Sequence, residues 1–270
     1  MSTASAPMEI GRVRLVVRDL TRVADFYAHA LGLEKLASDG AEVTLGAGDR
    51  ALVELQGDTA ARVRSPREAG LFHTAFLMPS RADLGAWVHH ASETRLPVQG
   101  ASDHLVSEAI YFADPEGNGI EIYADRPRSG WTNPDGSIKM ATDPLDVPDL
   151  AAAARAPWKG APQGAVVGHV HLQVGNVPEA EAFYSGTLGF DVMAHYPGAA
   201  FYGSGGYHHH LATNIWNSRG AGRREGGTGL ASVEILADAA ELDRLATRSG
   251  GVTRIADPWG TEIVLTRKAA

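Results

Sequence analysis

The chain offers eleven histidines and no cysteine among its 270 residues. Without a thiol, disulfides, thiolate zinc sites, iron–sulfur clusters and cysteine nucleophiles are excluded. A metal would have to be held by imidazole nitrogens and carboxylate oxygens, a donor set suited to oxygen chemistry. Three places in the sequence could do such chemistry. His208, His209 and His210 are consecutive; on a strand their side chains alternate, so either His209 alone, or His208 and His210 together, can face one cleft. Glu121 interrupts the apolar run Ile120-Glu121-Ile122-Tyr123, where a buried carboxylate is costly unless something pairs with it. His73, His169 and His171 stand in alternating, strand-like segments. His29, His89, His90 and His195 fall in segments that read as helices or loops, and as ordinary surface residues.

The elements that must position these groups show an internal repeat. Val13-Arg14-Leu15-Val16-Val17 leads through Asp19-Leu20 to Phe26-Tyr27 and Leu31-Gly32-Leu33. At a constant offset of 157, Val170-His171-Leu172-Gln173-Val174 leads through Asn176-Val177 to Phe183-Tyr184 and Leu188-Gly189-Phe190. Each copy reads as a half-buried strand, a polar helix start and an amphipathic helix ended by glycine. A second repeated element follows: Asp114-Pro115-Glu116-Gly117 and Asp257-Pro258-Trp259-Gly260, each leading into an apolar strand. Asp-Pro-x-Gly is a turn because Pro presets φ, Asp caps and Gly tolerates positive φ. The offset of 143 here means the second half is 14 residues shorter between its two elements. The segments 70–78, 109–113, 120–124 and 229–236 read as strands, and 81–93 and 239–249 as helices. The pattern predicts an α+β fold of four βαβββ modules in two tandem domains, residues 8–128 and 165–268. Each would carry curved mixed sheets around a cleft. A Pro-, Gly- and Asp-rich connector, residues 129–164, would join them.

Composition narrows the partners. Apolar residues at 44% and charged residues at 21% are ordinary for a globular protein. The formal charge of −8 and the lack of a basic stripe argue against nucleic-acid binding. Residues 1–7 do not read as a signal peptide, and no apolar run approaches the roughly 18 residues of a spanning helix. A cytoplasmic protein without a membrane partner is expected, with homo-oligomerisation left open.

The Phe26-Tyr27-x-x-x-Leu31-Gly32 pattern with its repeat at Phe183-Tyr184, and Asp114-Pro115-Glu116-Gly117-Asn118-Gly119-Ile120-Glu121, resemble the vicinal oxygen chelate (glyoxalase/bleomycin resistance/extradiol dioxygenase) superfamily. The segments Gly206-Tyr207-His208-His209-His210 and Ala124-Asp125-Arg126-Pro127-Arg128-Ser129 are similar to its two-domain bacterial catechol 2,3-dioxygenase group. The similarity runs over residues 9–266. Mapped onto the superfamily's ligand positions, it implies a metal held by His73, Glu121 and His169, with His171 as an alternative ligand. That set suits non-haem Fe(II), or Mn(II), and leaves coordination positions open. The equivalent positions elsewhere carry Arg12, Leu230 or Ser232, and Val264, so one site is complete and the other degenerate. The complete set requires the second module to meet the third across the domain boundary.

The resemblance further implies roles for three more residues. His209 matches the acid–base histidine, Tyr111 the substrate-contacting tyrosine ten residues before Glu121, and His104 another active-site histidine. Trp131 and Arg128 in the connector could close over the cleft. The implied reaction is extradiol cleavage of a catechol by O₂ to a muconic semialdehyde, with the metal acting as Lewis acid. Two alternatives remain at this stage. One is a glyoxalase-like isomerase or lyase, which would want four protein ligands and a carboxylate base, where the strand beside His209 offers Leu211 and Thr213 instead of a glutamate. The other is a non-enzymatic binding protein for a small aromatic ligand.

Overall fold

The alternating run near the start of the chain forms strand β1 (Met8–Val17), burying Ile10, Val13, Leu15 and Val17 while Arg12 and Arg14 stay half-exposed. Helix α1 (Leu20–Leu31) begins where the Asp19 side chain accepts the Arg22 backbone N–H, and ends at Gly32 with φ 65°. Glycine is required there twice over. The left-handed backbone strains any other residue, and a Cβ would come within 2.4 Å of Gly160, where the connector crosses the helix end. The computed structural model from which these elements are taken describes residues 6–249 and 251–269; most of the amino-terminal stretch read against a signal peptide lies outside them.

Strands β2 (Glu34–Ser38), β3 (Glu42–Ala47) and β4 (Arg50–Gly57) complete the first module. The second comprises β5 (Gly70–Leu77), α2 (Arg81–Glu93), β6 (Gly100–Asp103), β7 (Ser107–Ala113) and β8 (Gly119–Asp125). A single 3₁₀ turn, Arg128–Gly130, leads into the connector, which contains helix α3 (Val147–Ala152). The third module comprises β9 (Val166–Gln173), α4 (Val177–Glu181) running into a π-helical turn, β10 (Asp191–Tyr196), β11 (Ala199–Gly203) and β12 (Leu211–Asn214). The fourth has β13 (Gly229–Ala237), α5 (Ala239–Ser249), β14 (Arg254–Ala256) and β15 (Glu262–Arg267). Among the described residues it therefore keeps two strands after its helix instead of three, which accounts for the shorter spacing in the second half.

Both Asp-Pro-x-Gly turns form by the same hydrogen bonds. Asp114 Oδ1 accepts the N–H groups of Glu116 and Asn118, and Asp257 Oδ1 those of Trp259 and Thr261. Gly117 and Gly260 take φ of 82° and 88°. Each turn aims the strand that follows it into a sheet.

The two tandem domains share their sheets. The seven-stranded sheet runs β14-β15-β13-β1-β4-β3-β2, and the eight-stranded sheet β10-β11-β12-β9-β5-β8-β7-β6. The first module thus pairs with the fourth through β1 and β13, and the second with the third through β5 and β9, both antiparallel. Contacts between modules of the same half come from elsewhere. Trp87 on α2 donates its indole N–H to the Ala30 carbonyl on α1, 2.7 Å away, and Tyr184 donates to Asp257 at 2.8 Å. Strand pairing between the halves and these hydrogen bonds within each half gather the four modules around one large apolar core.

Candidate metal centre and active site

The eight-stranded sheet sets four polar side chains in one patch by register alone. Tyr111 on β7 lies opposite Glu121 on β8, Glu121 opposite Ala75 on β5, and Ala75 opposite His169 on β9. Laterally paired residues share a face of the sheet, and so does His73, two residues along β5 from Ala75. Ala75 contributes only a methyl group, so the longer side chains around it can converge above it.

They converge on one carboxylate oxygen. Glu121 Oε2 lies 3.0 Å from His73 Nε2 and 3.2 Å from His169 Nε2. All three residues are buried, and one donor atom from each lies within 4.8 Å of the other two. His73 Nε2, despite that short approach, has no partner in hydrogen-bonding geometry, and neither does His169 Nδ1. A buried imidazole nitrogen without a hydrogen bond is unfavourable unless another species takes its lone pair. The donor set and the orphaned nitrogen fit a divalent cation.

Electrostatics prepare these groups. Burial resists charge on Glu121, but the neighbouring imidazoles, His169 foremost, outweigh it and hold the carboxyl well below its ordinary value. Burial lowers His169 to about 4, against the opposing pull of Glu121. His171 and His209 are likewise pushed well down, by burial first and by neighbouring imidazoles second. At neutral pH Glu121 is therefore ionised and His169 neutral, the protonation states a metal needs.

His171 is engaged elsewhere. Its Nε2 accepts the Asn214 side-chain N–H at 2.9 Å, so it does not join the three-residue cluster.

The histidine run differs from expectation. It lies in an irregular turn just before β12, not on the strand. Even so, one of the three lines the cavity and the other two do not. His209 lines the cavity with its ring 4.1 Å from that of His169. His208 is fully buried behind it, and His210 accepts the Ser204 backbone N–H at 3.2 Å. Of the two sequence alternatives, His209 alone is the one that faces the cavity.

Tyr111 and His104 meet each other. His104 donates through Nδ1 to the Ala141 carbonyl at 2.6 Å, which leaves its Nε2 to accept the Tyr111 hydroxyl, also at 2.6 Å. Burial, and then Glu121, push the Tyr111 hydroxyl well above its ordinary value, so it stays a neutral phenol.

The cavity over this patch has a volume of about 490 Å³. Its apolar walls include Phe72, Phe201 and Trp216, with Ile138 and Met140 from the connector. Periodicity could not reveal these residues, because they come from several elements that only folding brings together. Trp131 and Arg128 do not close over the cleft. Trp131 packs behind the cavity against Tyr207 and His208, and Arg128 stacks on Trp131. His195, read as an ordinary surface residue, lies on β10 at the cavity rim, where it meets Glu181 at 2.8 Å.

A family model for the Glyoxalase/Bleomycin resistance protein/Dioxygenase superfamily matches residues 9–122 and 166–262. The chain belongs to this superfamily. A catechol-2,3-dioxygenase of Bacillus subtilis (strain 168) is 40% identical over 227 residues, covering 82% of this chain and 79% of the relative. Biphenyl-2,3-diol 1,2-dioxygenase 3 of Rhodococcus globerulus is 38% identical over 66 residues, 23% of this chain and 33% of that protein. Among solved structures, glyoxalase I from Zea mays superposes with a TM-score of 0.57 at 16% identity, covering 98% of this chain and 94% of that one. That likeness is one of fold.

This superfamily member keeps its ligand-type residues in one sheet. In the seven-stranded sheet the corresponding face carries Arg12 and Arg14, paired with Glu54, Glu42 and Glu234. A guanidinium there occupies the carboxylates that a cation would need. Among the described residues no helix is long and apolar enough to cross a membrane.

Proposed function

We propose that this chain is an Fe(II)-dependent extradiol dioxygenase that opens the ring of a catechol beside its two hydroxyls, both atoms of O₂ entering a muconic semialdehyde-type product. The observation that carries the reading is the convergence of His73 and His169 on one oxygen of Glu121, in a chain 40% identical to a catechol-2,3-dioxygenase. Two imidazoles and one carboxylate are the facial set that suits non-haem Fe(II) and leaves positions open; Mn(II) suits the same donors. When bound there, the ion supplies Lewis-acid activation of the diol and a path for electrons from the ring to O₂.

The protein's own groups do the rest. His73, Glu121 and His169 hold the ion. Phe72, Phe201 and Trp216 face the cavity as flat apolar surfaces against which an aromatic ring packs and excludes water. His209 Nε2 takes a proton from a catechol hydroxyl and later returns one, the task of a group that is neutral at working pH. The hydroxyl of Tyr111 is directed by its bond to His104, and its oxygen accepts from a substrate hydroxyl at the cavity floor.

The test is anaerobic reconstitution with Fe(II), followed by addition of catechols and air. A yellow semialdehyde absorbance and about one iron per chain are expected. No ring-cleavage product from any catechol, with metal bound, would overturn the reading.

A further inference from the structure

We propose that Asp125 and His208 are positioning residues that fix the tautomer of His209, so that its Nε2 faces the cavity as a hydrogen-bond acceptor. The proposal deepens the reading of His209 as the proton-handling group, and its structural half stands without that reading.

The argument follows the hydrogens. Asp125 closes β8, four residues after Glu121. His208 Nε2 lies 3.0 Å from Asp125 Oδ1, and a carboxylate can only accept. The hydrogen on His208 is therefore on Nε2. The same oxygen accepts the Tyr207 hydroxyl at 3.1 Å, and Tyr207 in turn is 2.8 Å from the Tyr123 hydroxyl. Since Tyr207 has given its one hydrogen to Asp125, Tyr123 is the donor of that last pair. Every donor in the group points towards Asp125.

Taken as neutral, with hydrogen on Nε2, His208 has its lone pair on Nδ1. His208 Nδ1 lies 2.8 Å from His209 Nδ1, so His209 must supply the hydrogen of that bond. Its remaining nitrogen, Nε2, then carries a lone pair. That atom has no hydrogen-bond partner among the described residues, and the ring lines the cavity. Asp125 and His208 do not line it, so they act only through His209.

The support is rigid. His208 is fully buried, with its ring centroid 4.1 Å from Tyr207 and 4.9 Å from Trp131. Trp131 comes from the connector, which gives that segment a use: it closes the back of the histidine pair. Adjacency supplies the geometry: the two rings are 4.7 Å apart, and the fully buried His208 braces the ring that lines the cavity.

The test reads the tautomers directly. The full chain, stripped of metal and carrying ¹⁵N-labelled histidine, is examined by long-range ¹H–¹⁵N correlation, with His208→Gln and His209→Gln assigning the signals. His209 should carry hydrogen on Nδ1 and His208 on Nε2. Asp125→Asn replaces an obligate acceptor by a group that also donates, so the hydrogen of His209 should appear in part on Nε2. With iron-loaded enzyme, the same substitution should lower kcat about 10–100-fold with KM for the catechol and iron content within about twofold. His209 found with hydrogen on Nε2 in the unsubstituted chain would overturn the proposal. So would an Asp125→Asn variant unchanged in both tautomer and kcat, or one that loses kcat without a tautomer change. If the unsubstituted enzyme opens no catechol, the dioxygenase reading fails while the tautomer measurement still decides this one.

Discussion

His169 Nε2 and Glu121 Oε2 lie 3.2 Å apart although they belong to different halves of the chain and to strands that are not neighbours. β5 separates them, and at the crossing it presents Ala75 to both. The pairing of β5 with β9 brings these two residues together; no contact within either half would do it.

Removing any one of the three converging side chains should abolish metal retention. His73→Ala, Glu121→Ala and His169→Ala are each expected to lower ring cleavage by more than about 100-fold, with far-ultraviolet circular dichroism unchanged. His171→Ala is the control, because its Nε2 is bonded to Asn214, and it should keep its metal. Elemental analysis of the purified variants checks both; equal metal loss in His171→Ala would contradict the assignment.

Filling the gap at Ala75 should separate structure from chemistry. Ala75→Leu adds three carbons between Glu121 and His169, and overpacking a buried site costs about 1–3 kcal/mol. The variant should melt at a lower temperature and bind metal poorly while every donor atom is still present. Calorimetry together with metal titration reads the two effects.

Acid should destabilise the metal-stripped protein in a defined window. His169 titrates near 6.5 unfolded but is lowered to about 4 in the fold by burial. A histidine whose folded value is depressed contributes stability that is fully present above about pH 6.5 and lost as pH falls through the folded value. His171 and His209 are lowered in the same direction. Denaturant midpoints measured from pH 7 down to pH 4 should therefore fall, and His169→Gln should flatten the slope.

Tyr111→Phe removes the hydroxyl that donates to His104 at 2.6 Å. Losing one well-placed hydrogen bond in a buried site should slow turnover by about 10–100-fold, with metal content unchanged. Steady-state kinetics on the iron-loaded variant tests it; an unchanged kcat would place Tyr111 outside the reaction.

Much of this was legible in the residues. The repeated strand–helix pattern, the two Asp-Pro-x-Gly turns and the lone Glu121 in an apolar strand are local signals, because periodicity and turn chemistry act over a few residues. That His209 could face the cavity without its two neighbours was readable too, although the backbone there is a turn and not an alternating strand. His195 is exposed, as its reading as a surface residue expects, but its place at the cavity rim depends on where β10 lies. Trp131 was misjudged, since its position behind His208 is set by the path of the connector.

The sequence by itself determined that any metal must be held by imidazole and carboxylate, since the chain has no thiol, and that two halves share one plan. Only the tertiary structure decided which modules face each other. Strand pairing across the halves is a long-range choice, made by the burial of β1, β5, β9 and β13 against a common core. That choice gathers Glu121, His73 and His169 into one face and leaves the other sheet to arginine–glutamate pairs. Spacing along a chain carries no record of it.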